Sequence, residues 1–193
     1  CLVGSEMCIR DRFGTGSFDH SILVWEFLSK KVGWVCICKI LGPESEVKSL
    51  DWNPHSNILA TCCRDRAIWI FSFNIPNDRK KGTPIEYDCV GVINAHTNDI
   101  KRVKWHPTIP MVLFSSSYDN TIIAWAPSSH LLANDAKSFD WVRLFTLSGH
   151  SSTVWDFSFS SNGKYLLSCS DDSSIILWHS EFGGKNNKFA TFN

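Results

Sequence analysis

The sequence predicts an all-β fold made of repeated four-stranded sheets, and three observations support this. One ten-residue pattern occurs four times, a second block precedes three of its copies, and turn signals separate the short apolar stretches. Hydrophobic residues make up 44% and charged residues 20% of the 193 residues, which is typical of a packed globular domain.

The first pattern is an Asp followed three residues later by an Ile and six residues later by an aromatic residue. Its four Asp residues are Asp19, Asp65, Asp119 and Asp172. They are roughly 50 residues apart, a period typical of repeat architectures. Four recurrences with one internal spacing indicate four copies of a single supersecondary unit.

The second block begins three of the repeats, at Glu46–Trp52, Asp99–Trp105 and Thr153–Phe159. A turn signal and a short apolar stretch follow each copy, so each repeat accommodates four short strands. The third strand, for example Ile175–Trp178, is nearly all apolar and therefore needs cover on both faces. Radially packed sheets, each between two neighbours, supply that cover.

Composition argues against several classes of function. The 19 basic and 19 acidic residues balance, which disfavours a nucleic-acid or membrane-surface partner. No apolar run reaches the length of a membrane helix. The eight cysteines form no C-x-x-C pair, so we expect no metal and no cofactor, and we expect buried thiols in a reducing compartment rather than ligands or disulfides.

A polar set recurs in two of the repeats. It consists of His96, Ser115, Asp119 and Trp125 in one repeat, and of His150, Ser168, Asp172 and Trp178 in the other. Ser, His and Asp together resemble a hydrolase triad, but a catalytic set occurs once, whereas this set recurs with a Trp attached. A buried chain of hydrogen bonds from Trp through the hydroxyl to His and Asp explains the recurrence better. We therefore expect a structural network and no enzyme.

Gly-His, then Asp, then Trp, at these spacings, resembles the WD-repeat family of β-propellers. The chain departs from the family name, since Glu26, Ala126 and His179 follow the final Trp residues. The second repeat has Pro43 in place of the His and Phe71 in place of the Trp. We expect that repeat to lack the network and to be the weakest.

Within that family, several stretches together resemble the cytosolic iron–sulfur protein assembly subfamily: Glu46–Ser49, Ala60–Asp65, Glu86–Val90, Ile100–Pro107, Ser115–Asp119 and Ser151–Trp155. The resemblance implies a cytoplasmic and also nuclear scaffold. Its expected partners are the proteins of the targeting complex and an iron-only-hydrogenase-like cluster carrier, with no small-molecule substrate. A generic WD40 adaptor, of the ubiquitin-ligase receptor or vesicle-coat type, is the alternative.

The resemblance also implies seven blades and about 300 residues, so the chain supplies an incomplete WD40-type propeller of about four blades. The expected blades are 13–41, 46–93, 99–147 and 153–182, with the first lacking its innermost strand and the last its outer strand. Residues 1–12 match nothing, and residues 183–193 are expected to form a flexible tail. Open blade faces predict poor solubility.

We expect partners at the rim where the inner-strand loops emerge, because rigid scaffolds carry function on loops. The residues before the repeat Asp and those that begin the inner strands point to that rim: Phe18, Arg64, Tyr118, Asp171, Lys48, Lys101 and Trp155.

Three of these assignments keep an alternative. Arg64 is the strongest candidate, but a solvated or purely structural Arg explains it equally well. Trp155 is either an exposed anchor or a core residue. The basic run 78–82 is either a partner patch or a solvated loop.

Overall fold

The computed structural model describes residues 2–3, 12–128, 140–180 and 189–191. Within these residues the chain forms sixteen β-strands in four antiparallel sheets of four strands. In every sheet the strands pair in chain order, and the inner strands of successive sheets contact one another. The predicted fold class, an all-β and incomplete WD40-type β-propeller, is confirmed by this arrangement.

The strands have the following bounds. The first sheet contains β1 (Leu2–Val3), β2 (Arg12–Gly16), β3 (Ile22–Ser29) and β4 (Gly33–Ile40). The second contains β5 (Val47–Trp52), β6 (Ile58–Cys63), β7 (Ala67–Asn74) and β8 (Glu86–Asn94). The third contains β9 (Ile100–Trp105), β10 (Leu113–Ser117), β11 (Thr121–Pro127) and β12 (Trp141–Ser148). The fourth contains β13 (Val154–Phe159), β14 (Tyr165–Ser170), β15 (Ile175–Ser180) and β16 (Phe189–Thr191).

Two strands correct the sequence analysis. Leu2–Val3 pairs with β2, so the first sheet has an innermost strand inside the segment 1–12 that matched nothing. Phe189–Thr191 pairs with β15, so the fourth sheet has an outer strand inside the expected tail 183–193. Strands of two and three residues are too short to show a period-2 pattern, which is why the sequence did not reveal them. The other residues of 183–193 lie outside the described part of the chain.

Each repeat Asp builds the turn between the second and third strands of its sheet. The residue after it has a left-handed backbone, with φ between 64° and 70° at His20, Arg66, Asn120 and Ser173. The Asp side chain accepts the backbone N–H two residues further on, at 2.9 to 3.1 Å in all four repeats. A short carboxylate suits this turn because it replaces a backbone acceptor. The spacing of the sequence pattern therefore reflects one repeated turn.

Successive sheets pack face to face through three apolar clusters. One face of each later sheet carries a large aromatic residue, namely Phe71, Trp125 or Trp178. This face packs on the aliphatic face of the preceding sheet, as Phe71 packs with Ile22 and Val24. The strands β6 and β10 are buried along their whole length, because both of their faces are covered.

The cysteines are only partly as predicted. Cys62 and Cys63 face opposite neighbouring sheets, and Cys38 is also buried. Cys36, Cys89 and Cys169 are exposed, so the prediction of buried thiols is wrong for them. All six of these thiols are free, and Cys1 and Cys8 lie outside the described residues. In the described part of the chain no helix is long and apolar enough to cross a bilayer.

The fourth sheet has one uncovered face. Leu167, Ile175 and Leu177 alternate with buried residues along β14 and β15 and are all exposed, Ile175 to 68%. At the other three sheets the equivalent aliphatic face is covered by the next sheet. An apolar face of this kind favours self-association.

We expect the unmodified chain to be poorly soluble. The double substitution Ile175→Lys and Leu177→Lys should raise the soluble fraction, because it places charges on the exposed apolar face. Sedimentation and the yield of soluble protein measure this. Val32→Lys is the control, since Val32 is exposed in a turn away from this face. A monodisperse, cooperatively melting monomer of the unmodified chain would contradict the prediction.

A buried histidine joins the third and fourth sheets. His106 follows β9, and its Nε2–H donates to the carbonyl of Gly163 at 3.2 Å. Its Nδ1 accepts the backbone N–H of Ile109 at 3.0 Å, which fixes the tautomer. Gly163 has φ 69°, and a Cβ there would collide with the His106 ring, so glycine is required. Burial lowers the pKa of His106 to about 4.

This geometry gives a pH dependence with a definite sign. The unfolded chain protonates His106 below its ordinary pKa of 6.5, whereas the folded chain resists protonation down to about 4. The contribution of neutral His106 to stability is therefore complete above pH 6.5 and is lost as the pH falls towards 4.

We expect His106→Asn to lose less stability than the unmodified chain when the pH falls from 7 to 4. Asparagine suits this turn, because Asn53 occupies the equivalent place in the second sheet and its Oδ1 accepts the His55 N–H at 2.8 Å. Urea midpoints of both proteins across this range measure the effect. Parallel curves would show that His106 does not titrate as described.

Candidate functional site

The polar set of the third sheet forms one chain of hydrogen bonds. Trp125 Nε1–H donates to Ser115 Oγ at 2.9 Å, and Ser115 Oγ lies 2.7 Å from His96 Nε2. His96 Nδ1 lies 2.8 Å from Asp119 Oδ2. The carboxylate also accepts the Thr121 hydroxyl at 2.6 Å. A neutral His96 with its proton on Nδ1 satisfies every member of this chain.

The fourth sheet repeats this arrangement. Trp178 Nε1–H donates to Ser168 Oγ at 2.8 Å, and Ser168 Oγ lies 2.7 Å from His150 Nε2. His150 Nδ1 lies 2.9 Å from Asp172 Oδ2, and Ser174 donates its hydroxyl to the same carboxylate. The structure thus brings together all eight residues predicted for the two networks.

The environment of these groups opposes a catalytic role for them. The side chains of His96 and His150 are 0% and 1% exposed, and both ring nitrogens of each are already occupied. Burial alone would raise the pKa of Asp119, but hydrogen bonds from His96 and Thr121 outweigh it and lower that pKa to about 2. A fixed carboxylate and an enclosed imidazole offer no proton-transfer site to a substrate.

The first and second sheets keep parts of the same network. In the first sheet Trp25 Nε1–H donates to Thr15 Oγ1 at 3.1 Å. In the second sheet Phe71 has no donor, and Thr61 donates its hydroxyl to the Ser49 carbonyl at 3.1 Å. Pro43 is buried there. As expected, the His–Asp link is missing in the described part of the second sheet; its lower stability stays a prediction.

A backbone contact places the predicted rim residues beside the inner strands. In three repeats, the N–H of the residue before the repeat Asp donates to the carbonyl of the residue before the inner strand. This bond joins Arg64 to Glu46 at 3.1 Å, Tyr118 to Asp99 at 3.0 Å and Asp171 to Thr153 at 2.9 Å. Side chains at these positions therefore emerge together at one rim.

Aromatic residues of the rim hold two lysines. Lys48 Nζ lies 4.6 Å from the centre of the Phe18 ring, which belongs to the preceding sheet. Lys101 Nζ lies 3.9 Å from the centre of the Tyr118 ring and 5.4 Å from that of Trp155. Trp155 belongs to the fourth sheet and meets Tyr118 edge to face at 5.5 Å. These cation–π contacts cross two of the junctions between sheets.

Two carboxylates that the sequence analysis missed complete this band. Arg64 Nη1 lies 3.5 Å from Glu46 Oε1, and Arg64 Nε lies 3.8 Å from Asp99 Oδ2. Lys48 contacts Glu46, and Lys101 Nζ lies 3.8 Å from Asp99. The sequence did contain a signal for these two carboxylates, since an acidic residue stands two positions before Lys48 and before Lys101. We call the connected set the rim band; it consists of Phe18, Lys48, Glu46, Arg64, Asp99, Lys101, Tyr118 and Trp155.

Exposure separates the alternatives left open by the sequence. Trp155 is 44% exposed, so its assignment to the core is wrong. Arg64 has a 63% exposed side chain and also bridges two sheets, which agrees with the solvated and the structural interpretations, and its role in partner binding stays a prediction. Phe18, Tyr118 and Asp171 are exposed as well. For Asp171 the structure gives the backbone contact to Thr153, which places it on the rim beside the band.

The family profile described as "WD domain, G-beta repeat" matches residues 34–72, 87–132 and 141–179, together more than half of the chain. Each matched segment begins on the outer strand of one sheet and continues into the next sheet. The chain belongs to the WD40 repeat family. The sequence repeat of this WD40 protein is thus offset from its sheets, so each repeat links two neighbouring sheets covalently.

Three curated relatives illustrate what the WD40 chain is similar to. "Probable cytosolic iron-sulfur protein assembly protein 1" of Neurospora crassa is 29% identical over 88% of this chain and 46% of the relative. "Probable cytosolic iron-sulfur protein assembly protein Ciao1" of Anopheles gambiae is 38% identical over 48% of this chain and 26% of the relative. "Coronin-2A" of Bos taurus is 28% identical over 71% of this chain and 24% of the relative. The chain spans less than half the length of each.

The basic run 78–82 serves a structural contact in this WD40 fold. Arg79 Nη1 donates to the buried Glu26 carboxylate at 2.9 and 3.1 Å, and Arg12 Nε donates to it at 2.8 Å. Gly82 N–H donates to Glu26 at 2.7 Å. Burial opposes ionisation of Glu26, but these donors lower its pKa to about 2. The solvated-loop interpretation is therefore wrong for Arg79, which ties the second sheet to the first.

Among the described residues, no three His, Cys, Asp or Glu side chains gather in a group that could hold a metal ion.

We expect Asp119→Ala to lower the free energy of unfolding by about 3–4 kcal/mol, because it leaves a buried His96 N–H and several other donors unpaired. Asp65→Ala is the matched control, since Asp65 accepts from Ala67 N and Trp69 Nε1 and pairs with no histidine. Its expected loss is about 1–2 kcal/mol. Denaturant titrations measure both, and equal losses would contradict the networks' structural role.

Proposed function

We propose that this chain is a non-catalytic scaffold of cytosolic iron–sulfur protein assembly that docks partner proteins on its rim band. The rim band carries the proposal, because exposed aromatic residues and an exposed arginine lie side by side on a rigid set of sheets. Aromatic residues and arginine are the side chains that dominate protein interfaces. The names of the Neurospora and Anopheles relatives support iron–sulfur assembly as the process.

The proposed partners are proteins of the cytosolic targeting complex and an iron-only-hydrogenase-like cluster carrier, which together deliver clusters to apo-proteins. The word "cytosolic" in the relatives' names supports a cytoplasmic location. A nuclear share stays a prediction from the resemblance, as do the absence of a nucleic-acid partner and of a small-molecule substrate. The chain spans less than half the length of these relatives, so the activity and the partners of the whole protein are proposals.

The thiols favour a platform over a cluster carrier. Carriers bind iron–sulfur clusters through closely spaced thiolates. The six described cysteines belong to three different sheets, and Cys62 and Cys63 point into opposite apolar clusters. Burial raises the pKa of Cys62 to about 12, which opposes the thiolate form that a ligand needs.

A generic WD40 adaptor is the second candidate, and one observation favours it. Coronin-2A is 28% identical to this chain, almost as similar as the Neurospora relative. The Anopheles relative reaches 38% over its shorter match, so sequence identity favours the iron–sulfur assembly proteins, and the identity of the captured partners is the direct test.

We expect the tagged chain, expressed in its source cells, to capture iron–sulfur assembly proteins, and we expect Arg64→Glu to lose most of that capture because it reverses the exposed charge of the rim band. Mass spectrometry of the captured proteins measures this. Arg143→Glu is the matched control, since Arg143 is exposed on the outer strand β12.

Capture of cullin adaptors or coat subunits in place of assembly proteins would favour the generic adaptor. Undiminished capture by Arg64→Glu, with a native circular dichroism spectrum, would remove Arg64 from the docking site.

A further inference from the structure

The three cations of the rim band are held to very different degrees. Lys48 contacts Glu46 and the Phe18 ring, and Lys101 has a 12% exposed side chain enclosed by Tyr118 and Trp155. Among the described residues, the Arg64 guanidinium makes two long contacts to carboxylates, at 3.5 and 3.8 Å, and it remains largely exposed. Its guanidinium is therefore the rim cation most available to another molecule.

The two carboxylates beside Arg64 also differ. Glu46 is engaged by Lys48, whose hydrogen bond lowers the pKa of Glu46. Asp99 lies 3.8 Å from both Arg64 Nε and Lys101 Nζ, too far for a hydrogen bond to either. Exposed pairs at such distances contribute little to stability. Asp99 therefore lowers the positive potential at Arg64 without holding the guanidinium in place.

We propose that the rim band binds an acidic peptide segment of a partner protein through Arg64, and that Asp99 is a built-in competitor for that guanidinium. A partner carboxylate can form two parallel hydrogen bonds with Arg64, which the long Asp99 contact does not. This inference deepens the proposed docking function and rests on it.

Charge and surface chemistry support an acidic occupant. The rim band has three cations, Lys48, Arg64 and Lys101, and two carboxylates, so one positive charge is uncompensated. Exposed Tyr118 and Trp155 belong to the sheets after that of Arg64, and exposed Phe18 belongs to the sheet before it. These rings offer apolar contact to the side chains next to the partner's carboxylate. A peptide that alternates acidic and apolar side chains complements both features.

The probe is a short fluorescently labelled peptide of alternating Glu and Leu, and its binding to the chain in solution is measured by fluorescence anisotropy. A peptide of alternating Lys and Leu is the control for charge. Asp99→Asn should tighten binding about two- to fivefold, the affinity equivalent of one weak exposed ion pair. The gain should shrink at high ionic strength, because salt screens exposed charges. Arg64→Gln should abolish binding. Asp88→Asn, on the exposed outer strand β8, is the matched control and should change nothing.

Several results would overturn the inference: no binding of the Glu–Leu peptide, equal binding of the Lys–Leu peptide, or binding of single-stranded DNA in its place. Weaker peptide binding by Asp99→Asn would show that Asp99 positions Arg64 and does not compete with the partner. The capture experiment separates this failure from failure of the proposed function. If assembly proteins are still captured through Arg64 while Asp99→Asn weakens peptide binding, only the competitor role is lost.

Discussion

The rest of the structure depends on one interaction, the hydrogen bond between the carboxylate of each repeat Asp and the backbone N–H two residues further on. This carboxylate closes the turn between the second and third strands and allows the next residue a left-handed backbone. In two sheets the same carboxylate also holds the histidine that reaches the central hydroxyl and the buried Trp. In three repeats the residue before the Asp is also fixed against the inner strand by its backbone N–H. One side chain thus determines both the interior of a sheet and the part of the rim above it.

The features that could be predicted from the sequence are those that recur with a fixed spacing along the chain. The two polar networks and most strands follow from patterns that repeat along the chain with nearly the same internal spacing, with His 23 or 22 residues before its Asp, so they needed no knowledge of tertiary structure. Glu46 and Asp99 escaped because an acidic residue at the start of a strand is ordinary until Arg64 is placed between them. The Arg79–Glu26 contact escaped because 53 residues separate the partners and they belong to different sheets. Trp155 was ambiguous because aromatic residues occur both in cores and at interfaces.

The second sheet shows how a WD40 sheet forms without the histidine network. Phe71 fills the place of the Trp and packs into the first junction, while Trp69 donates its indole N–H to Asp65 at 3.3 Å. The loop that follows β7 extends to the first sheet, where Arg79 meets the buried Glu26. The polar network joins strands within one sheet, whereas the Arg79–Glu26 contact joins two sheets. Local hydrogen bonds lost in one repeat are therefore accompanied by contacts between repeats.

The division between backbone and side chains explains why the rim can carry function. The same place in the four repeats is taken by Phe18, Arg64, Tyr118 and Asp171, which are two aromatic residues, a basic one and an acidic one. For Arg64, Tyr118 and Asp171 the contact that positions the residue comes from its backbone N–H, so the side chain contributes little to the turn. The turn leaves the side chain at this position free to vary, and at three junctions that side chain contacts the next sheet: Phe18 contacts Lys48, Arg64 lies near Asp99, and Tyr118 meets Trp155. The succession of aromatic, basic and acidic groups along the rim is therefore set in part by contacts between sheets, and the exposure that these side chains keep is what the proposed docking of a partner would use.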